Sequence, residues 1–448
     1  MTTPDSADSG SAPEHDKSIA QQREGEVAID ASQLQPGVHV RLPVNWMDHP
    51  FIRSSFVVSD QNQVEKIAAL NLPQLFSDPR RCTAAPLPRP KVVVPPSPEE
   101  ERQRAELAAQ MAREMADKQA RAEKVDALRT RLDAAQTHYL NAAKEVGAAI
   151  KGFESDPRKS VRQMMEVSAQ SAAVLIRDAD SALALIAEKG HTDAHNAHAL
   201  SVMTLALLLG KQARLPEKVL TDLGVAALLH DIGKVSLDLS LLRKPEHERS
   251  HFEETIYQGH CRKGHELAER AGCLSAQALG AVLHHHERAD GNGYPSGLTG
   301  AHIPMAARII GIANRFDNLT NPADPRRALS PSESLATMWS KEKAAFDVTL
   351  LQLFVRAMGI YPPGSLVQLS DGHSGVVVAS AATESPLRPQ VLIYEPSVPR
   401  RHAEIIDLSR DDSLKIERSL HVQERSEAEI DYLLPRRKLS WLHIGSQP

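Results

Sequence analysis

Ala226-Ala227-Leu228-Leu229-His230-Asp231-Ile232-Gly233-Lys234 is the stretch around which this 448-residue chain is organised. An apolar run that reads as a buried helix ends in a His followed directly by an Asp, which puts two metal-binding side chains where apolar surroundings hold them rigid and dry. The carboxylate can bridge two cations while the imidazole binds one. Lys234, four residues beyond His230, returns to roughly the same helix face. One His-Asp pair proves little unless further ligands follow in order, and they do.

His198 begins a helical run with Val202, Leu205 and Leu209 on one face. His191 and His195 stack on the same flank, and His198, nearest the apolar stretch, is the candidate ligand. His260 precedes Gly264 and His265 in another helical pattern. In His284-His285-His286 successive helical residues turn by about 100°, so at most two of the three converge on one site. Glu287 and Arg288 are candidates to orient imidazoles from behind. Asp290-Gly291-Asn292-Gly293-Tyr294-Pro295 is a run of turn residues, expected to form a tight loop where backbone comes close to a ligand. Clustered His with a bridging Asp suits two cations such as Fe, Mn or Zn. Two such ions about 3.5–4 Å apart activate a water and clamp a phosphoryl group during in-line displacement. Lys234 would stabilise negative charge on the phosphate or protonate the leaving oxygen.

Length suggests two to four domains, and 42% hydrophobic residues make the chain globular. No apolar run approaches bilayer length and the first thirty residues have no apolar signal region, so neither a membrane span nor a secretory signal is indicated and a cytoplasmic protein is expected. Cys82, Cys261 and Cys273 form no disulfide framework and no zinc pattern. The net charge of −5 argues against DNA binding.

The fold is expected to be mainly α. Residues 1–27 read as a disordered tail. Residues 28–86 read as a small α/β domain, with strands near 27–29, 38–42 and 56–58 and a helix over 64–70. Residues 87–152 read as a Pro-rich linker, punctuated by Pro88, Pro90, Pro95 and Pro96, and a long charged helix opened by Ser97, Pro98 and Glu100 as a capping box. Its stripe of Val125, Leu128, Leu132, Ala135 and Tyr139 reads equally as a helix lying on its own domain or as a homodimer seam through residues 98–150. Residues 153–362 are helical almost throughout, with 199–209 and 223–229 apolar on most sides, as in central helices of a bundle. Residues 363–448 read as a small β-rich module, structural or regulatory, with strands near 365–369, 375–380, 390–394 and 403–408.

His198, the His230-Asp231-Ile232-Gly233-Lys234 run, His260, and His285-His286-Glu287-Arg288 followed by Asp290-Gly291-Asn292-Gly293-Tyr294-Pro295 resemble the HD-GYP domain. That family is a branch of the HD phosphohydrolases and hydrolyses the bacterial second messenger cyclic di-GMP. The resemblance covers residues 157–362 and implies an HD-type helical bundle as the core. Residues 27–86 resemble the small domain of unknown function often found before HD-GYP domains, in Leu34-Gln35-Pro36-Gly37-Val38 and in Trp46 with His49-Pro50-Phe51.

By position, the resemblance implies that His198, His230 and Asp231 hold one metal. Asp231 would bridge to a second held by His260 and His285, with His286 beside it. Lys234 would contact the scissile phosphate, and Arg326, Gly293, Tyr294 and Pro295 would bind substrate. Ala194 stands where three-metal members carry a Glu, so two divalent transition metals are expected, Fe or Mn first, with Zn, Ni or Co as alternatives. Two positions depart from the family. Asn314, in Asn314-Arg315-Phe316-Asp317, replaces an Asp ligand and should weaken the first metal, and Ala323 replaces an Arg that contacts substrate. Asp317 lies on a neighbouring helical face and is not expected to reach the site. The leading expectation is a phosphodiesterase giving the linear dinucleotide and then GMP. The alternative is a degenerate domain that binds cyclic di-GMP, or a signalling protein at the GYP loop, without turnover.

Overall fold

The computed structural model describes residues 21–45, 48–89, 97–187, 194–322, 324–381 and 385–434. The readings made at residues 1–20, Trp46, 90–96, His191, Ala323 and 435–448 lie outside them, as do those on the side chains of Glu100, Ala194 and His195. The chain divides into two units, one running to Lys124 together with Ser397–His402, the other comprising Val125–Pro396 and the residues from Ala403 onward.

In the first unit, strands β1 (Val27–Ile29), β2 (His39–Arg41), β3 (Ser55–Val57) and β4 (Leu75–Ser77) form an antiparallel sheet in the order β1-β4-β2-β3. Helix α1 (Gln61–Ala69) starts where the Asp60 carboxylate accepts the Gln63 N–H, and it lays Val64 and Ile67 on a core of Val38, Val40, Leu42 and Leu75. Strand β4 escapes the sequence reading because Leu75-Phe76-Ser77 is buried at every position and shows no alternation. The long helix α2 (Pro98–Gly152) runs through residue 124 into the second unit.

Beyond α2, the helices of the second unit are α3 (Pro157–Arg177), α4 (Ala179–Ala187), α5 (Ala194–Gln212), α6 (Glu217–Leu229), α7 (Leu239–Arg243), α8 (His251–Gln258), α9 (His260–Glu269), α10 (Ala276–His284), α11 (Met305–Thr320), α12 (Pro331–Ser340) and α13 (Val348–Met358). Several starts are fixed by side chains: Asp156 caps α3, Ser275 caps α10, Asp347 caps α13, and reciprocal Ser-Glu boxes open α8 (Ser250 and Glu253) and α12 (Ser330 and Glu333). Because α5 and α6 are apolar nearly all round, they lie at the centre, where Leu200, Met203, Leu205, Leu209, Leu223 and Leu228 pack with Ile309 and Ile312 of α11 and Phe354 of α13.

The α2 stripe is buried within its own chain. Leu128 and Leu132 pack with Ala184 of α4 and with Leu366, Val376 and Leu392, while Ala142, Val146 and Ala149 join the bundle core. Of the two readings of that stripe, the helix lying on its own domain accounts for these residues without a second copy.

Strands β5 (Leu366–Leu369), β6 (Ser374–Ala379), β7 (Gln390–Ile393), β8 (Ile405–Asp407) and β9 (Ile416–Ser419) make an antiparallel sheet in the order β8-β7-β6-β5-β9, followed by helix α14 (Glu427–Leu433). The sequence reading omits β9 because Ile416-Glu417-Arg418-Ser419 is a half-exposed edge with one apolar residue. No helix among the described residues is long and apolar enough to cross a membrane.

Candidate metal centre

Helix α6 stops at Leu229, and after His230 and Asp231 the chain tightens into a 3-10 turn over Ile232–Ser236. Lys234 is therefore not on one continuous α-helix with His230, as the sequence suggests; the tighter turn carries its Nζ onto Asp231 Oδ2 at 2.6 Å. This geometry requires a glycine at position 233. A Cβ there would fall 2.0 Å from the His260 carbonyl oxygen and 2.6 Å from the Gly264 nitrogen. That close approach seats the first turn of α9, and with it His260, against Asp231.

The imidazoles are aimed by one repeated device. Nδ1 of His230, His260 and His285 lies 2.7, 2.6 and 2.8 Å from the carbonyl oxygens of Ala227, Tyr257 and Val282, each three residues earlier. A carbonyl only accepts, so each Nδ1 carries the proton and each Nε2 presents its lone pair. His198 is held in the same sense by a carboxylate, with Nδ1 donating to Asp317 Oδ2 at 2.7 Å.

These lone pairs meet on Asp231, which is 2% exposed. Its Oδ2 stands 3.4 Å from His230 Nε2 and 3.8 Å from His198 Nε2, and its Oδ1 stands 3.3 Å from His260 Nε2 and 3.7 Å from His285 Nε2. One carboxylate thus faces two nitrogen groups, one with each oxygen. The Nε2 atoms of His260 and His285 are 3.4 Å apart, lone pair against lone pair. His230 Nε2, Asp231 Oδ1 and His286 Nε2 are buried without a hydrogen-bond partner among the described residues. Unpaired buried polar atoms are costly, and a cation between them resolves the cost. The donor set fits two ions: His198, His230 and Asp231 on one side, and His260, His285 and His286, with Cys261, on the other.

Electrostatics agree with ligand chemistry. Burial pushes His285 below the usual histidine range and His230 and His286 well below it, which favours the neutral imidazole a metal needs. Burial alone would raise the Asp231 carboxyl, but His230 and the Lys234 ammonium hold it well below the usual range. Lys234 is in turn kept charged against its burial by Asp231 and Tyr257, whose ring centre is 5.3 Å from Nζ.

The loop after the histidines is tied to them. Tyr294 stacks on His286 with centroids 4.6 Å apart and planes at 22°. A Cβ on Gly293 would fall 2.3 Å from the Arg288 nitrogen and 2.6 Å from the His286 oxygen, so only glycine permits this seating. Arg262 donates to the Pro295 carbonyl at 3.3 Å. Glu287 and Arg288 do not orient the imidazoles of His230, His260 and His285, which backbone carbonyls hold, or that of His198, which Asp317 holds. The Glu287 carboxylate accepts the N–H groups of Ser296 and Leu298 at 2.7 and 2.9 Å and touches His284, while Arg288 pairs with Asp290.

Residues 181–350 match the HD domain family, and residues 26–164 match a domain of unknown function, DUF3391. A cyclic di-GMP phosphodiesterase of Pseudomonas aeruginosa is 29% identical over 385 residues, 82% of this chain and 84% of that protein. Residues 181–350 of this chain are an HD domain. It is a metal-dependent phosphohydrolase. A cyclic di-GMP phosphodiesterase response regulator of Xanthomonas campestris, RpfG, is 34% identical over 154 residues, 34% of this chain and 40% of that protein. A solved HDGYP-type protein from Bdellovibrio bacteriovorus shares 17% identity, covers 73% of this chain and 98% of its own, and superposes with a TM-score of 0.42.

The two departures from the HD-GYP pattern have different settings. Asn314 is buried on α11, and its Oδ1 accepts the Asn318 amide at 2.8 Å. Ala323 lies outside the described residues. Arg326 is exposed and forked onto Asp324 with both bonds at 3.0 Å. Asp317 does reach the cluster, contrary to expectation, because positions three apart on a helix are neighbours and α5 brings His198 to meet it. Sequence reasoning also passes over Tyr257, which lies beneath Lys234 and Arg249, and Cys261, fully buried beside His260. Nothing in the spacing of three scattered cysteines signals the latter.

Proposed function

We propose that this HD-GYP domain hydrolyses cyclic di-GMP in the bacterial cytoplasm, opening one phosphodiester bond to give the linear dinucleotide, with GMP as a further product. The observation that carries the reading is the Asp231 carboxylate set between two groups of inward-facing imidazole lone pairs. His198, His230, Asp231 and Asn314 would hold one divalent transition metal, and Asp231, His260, His285 and His286 the other, with Fe or Mn ahead of Zn, Ni or Co. When bound, the pair supplies an activated water and neutralises phosphoryl oxygens. Asp231 fixes the spacing between the two groups by offering one oxygen to each. Lys234 donates from its ammonium to a phosphoryl oxygen and offsets negative charge as it builds. Tyr294, stacked on His286, fixes that ring and with Gly293 and Pro295 forms the wall a nucleotide would meet. Arg326 is the candidate for an outer phosphate, exchanging Asp324 for substrate.

The test is product analysis with metal-loaded protein and cyclic di-GMP. Wild type should yield the linear dinucleotide. Lys234→Ala should lose about 10²–10³ in kcat, as when one transition-state donor is removed, with metal content unchanged. A second reading has one specific observation behind it. The Asn314 amide, already bonded to Asn318, brings no charge to the first group, as in a domain that binds the nucleotide or a signalling protein without turnover. Saturable cyclic di-GMP binding with no product from fully loaded protein would establish that reading and overturn the first.

A further inference from the structure

Cys261 follows His260 in the first turn of α9 and is fully buried. Its Sγ lies 3.6 Å from His260 Nε2, the nitrogen whose lone pair faces the cluster, because the carbonyl of Tyr257 holds the other nitrogen. With metal–nitrogen and metal–sulfur bonds of about 2.1 and 2.3 Å, a tetrahedral ion sets its N and S ligands ~3.6 Å apart and two N ligands ~3.4 Å apart. The first figure matches the Cys261–His260 separation of 3.6 Å and the second the His260–His285 separation of 3.4 Å. Asp231 Oδ1, unpartnered and buried, closes the same polyhedron at 3.3 Å from His260 Nε2.

We propose that Cys261 is a ligand of the second metal ion, joining His260, His285, His286 and Asp231 in a mixed nitrogen, oxygen and sulfur set. On coordination the sulfur forms a bond to the ion and its proton leaves to solvent. Thiolate is a soft ligand, so this position tilts the second ion toward Zn, Co or Fe and away from the harder Mn and Mg. Cys261 is then a specificity-determining residue for the metal. The inference rests on the two-ion reading of the site.

Cobalt(II) tests it by a readout other than activity. Protein of full length with Cys82→Ser and Cys273→Ser, which leaves Cys261 as its sole thiol, should bind cobalt and show the near-ultraviolet thiolate-to-cobalt charge-transfer absorption. Adding Cys261→Ser should abolish that absorption while circular dichroism stays unchanged. It should also lower the preference for Zn over Mn by about tenfold or more, the scale on which ligand-sphere changes act. Cobalt bound without the absorption in the protein with Cys261 alone, or an absorption that survives Cys261→Ser, overturns the thiolate assignment and leaves the two-ion reading standing. No cobalt bound in wild type overturns both. The double variant settles the matter even if Cys261→Ser fails to fold.

Discussion

Asp317→Asn isolates the device that aims His198. The Asp317 carboxylate is 1% exposed and accepts His198 Nδ1–H at 2.7 Å, a short charge-assisted bond. Its other oxygen takes the Asn321 amide at 3.1 Å. An Asn keeps the shape and one acceptor but removes the charge that makes the imidazole a stronger donor to a metal. If its NH2 turns toward the ring, the proton must move to Nε2 and the lone pair facing Asp231 is lost. Removing such an outer partner typically costs 10–100-fold in metal affinity, about 1.4–2.7 kcal/mol. The loss should fall on the ion held by His198 and His230 and spare the ion held by His260 and His285, whose orienting groups are backbone carbonyls. Competition against a chromophoric chelator, with stoichiometry by elemental analysis and a thermal melt to confirm the fold, measures both affinities. Two unchanged affinities would refute the role of Asp317. Equal weakening of both would place its effect in the fold instead.

Asn314→Asp should tighten the first ion by about tenfold, on the scale of one added charged oxygen ligand, since the new carboxylate can keep the bond from Asn318; equal or poorer affinity in side-by-side titration would mean the amide is no defect. In the first unit, Lys118 is buried with Nζ donating to the His49 and Phe51 carbonyls at 2.9 Å, and burial pulls it down to about 7. Between that pH and about 10.5 the unfolded chain binds a proton that the folded chain does not, so stability should rise with pH through this window. Urea unfolding across the range should show the rise in wild type and its loss in Lys118→Met, and a flat wild-type profile would contradict it.

The helical core and the segments that bring polar residues to it are legible because their signals are local. Leu223 to Leu229 is apolar on every side, and His230-Asp231 and His284-His285-His286 carry their chemistry in consecutive positions. What is illegible depends on contacts between distant segments. Lys234 reads as continuing a helix because nothing local shows the 3-10 turn that follows Asp231 or the His260 carbonyl packed against Gly233. Asp317 is misjudged because a helical wheel gives its direction but not the arrival of His198 from α5. Cys261 carries no pattern in the chain and acquires meaning only when the first turn of α9 is set against Asp231. Glu287 is read as a partner of imidazoles because it adjoins them, and its carboxylate does meet His284, but it also accepts from the backbone of a loop nine and eleven residues ahead, which nothing local announces.

Charge sets how the two readings of Asn314 relate. Two divalent ions would bring four positive charges to a pocket whose candidate ligands include one shared carboxylate, Asp231, already neutralised in part by the Lys234 ammonium at 2.6 Å. Asp317 acts from behind His198, and a thiolate from Cys261 would fall on the second group. The first group, with a neutral amide at position 314, is therefore the more undercharged of the two. An anionic phosphodiester placed across the ions would supply what is missing, and substrate and first ion would then each tighten the binding of the other by the same factor. A domain measured without nucleotide would then look metal-poor for the same reason that it would bind a doubly anionic dinucleotide well. Low occupancy of the first ion in the free protein is thus compatible with turnover, and product analysis separates an enzyme from a domain that has lost its chemistry only when occupancy is measured with cyclic di-GMP present.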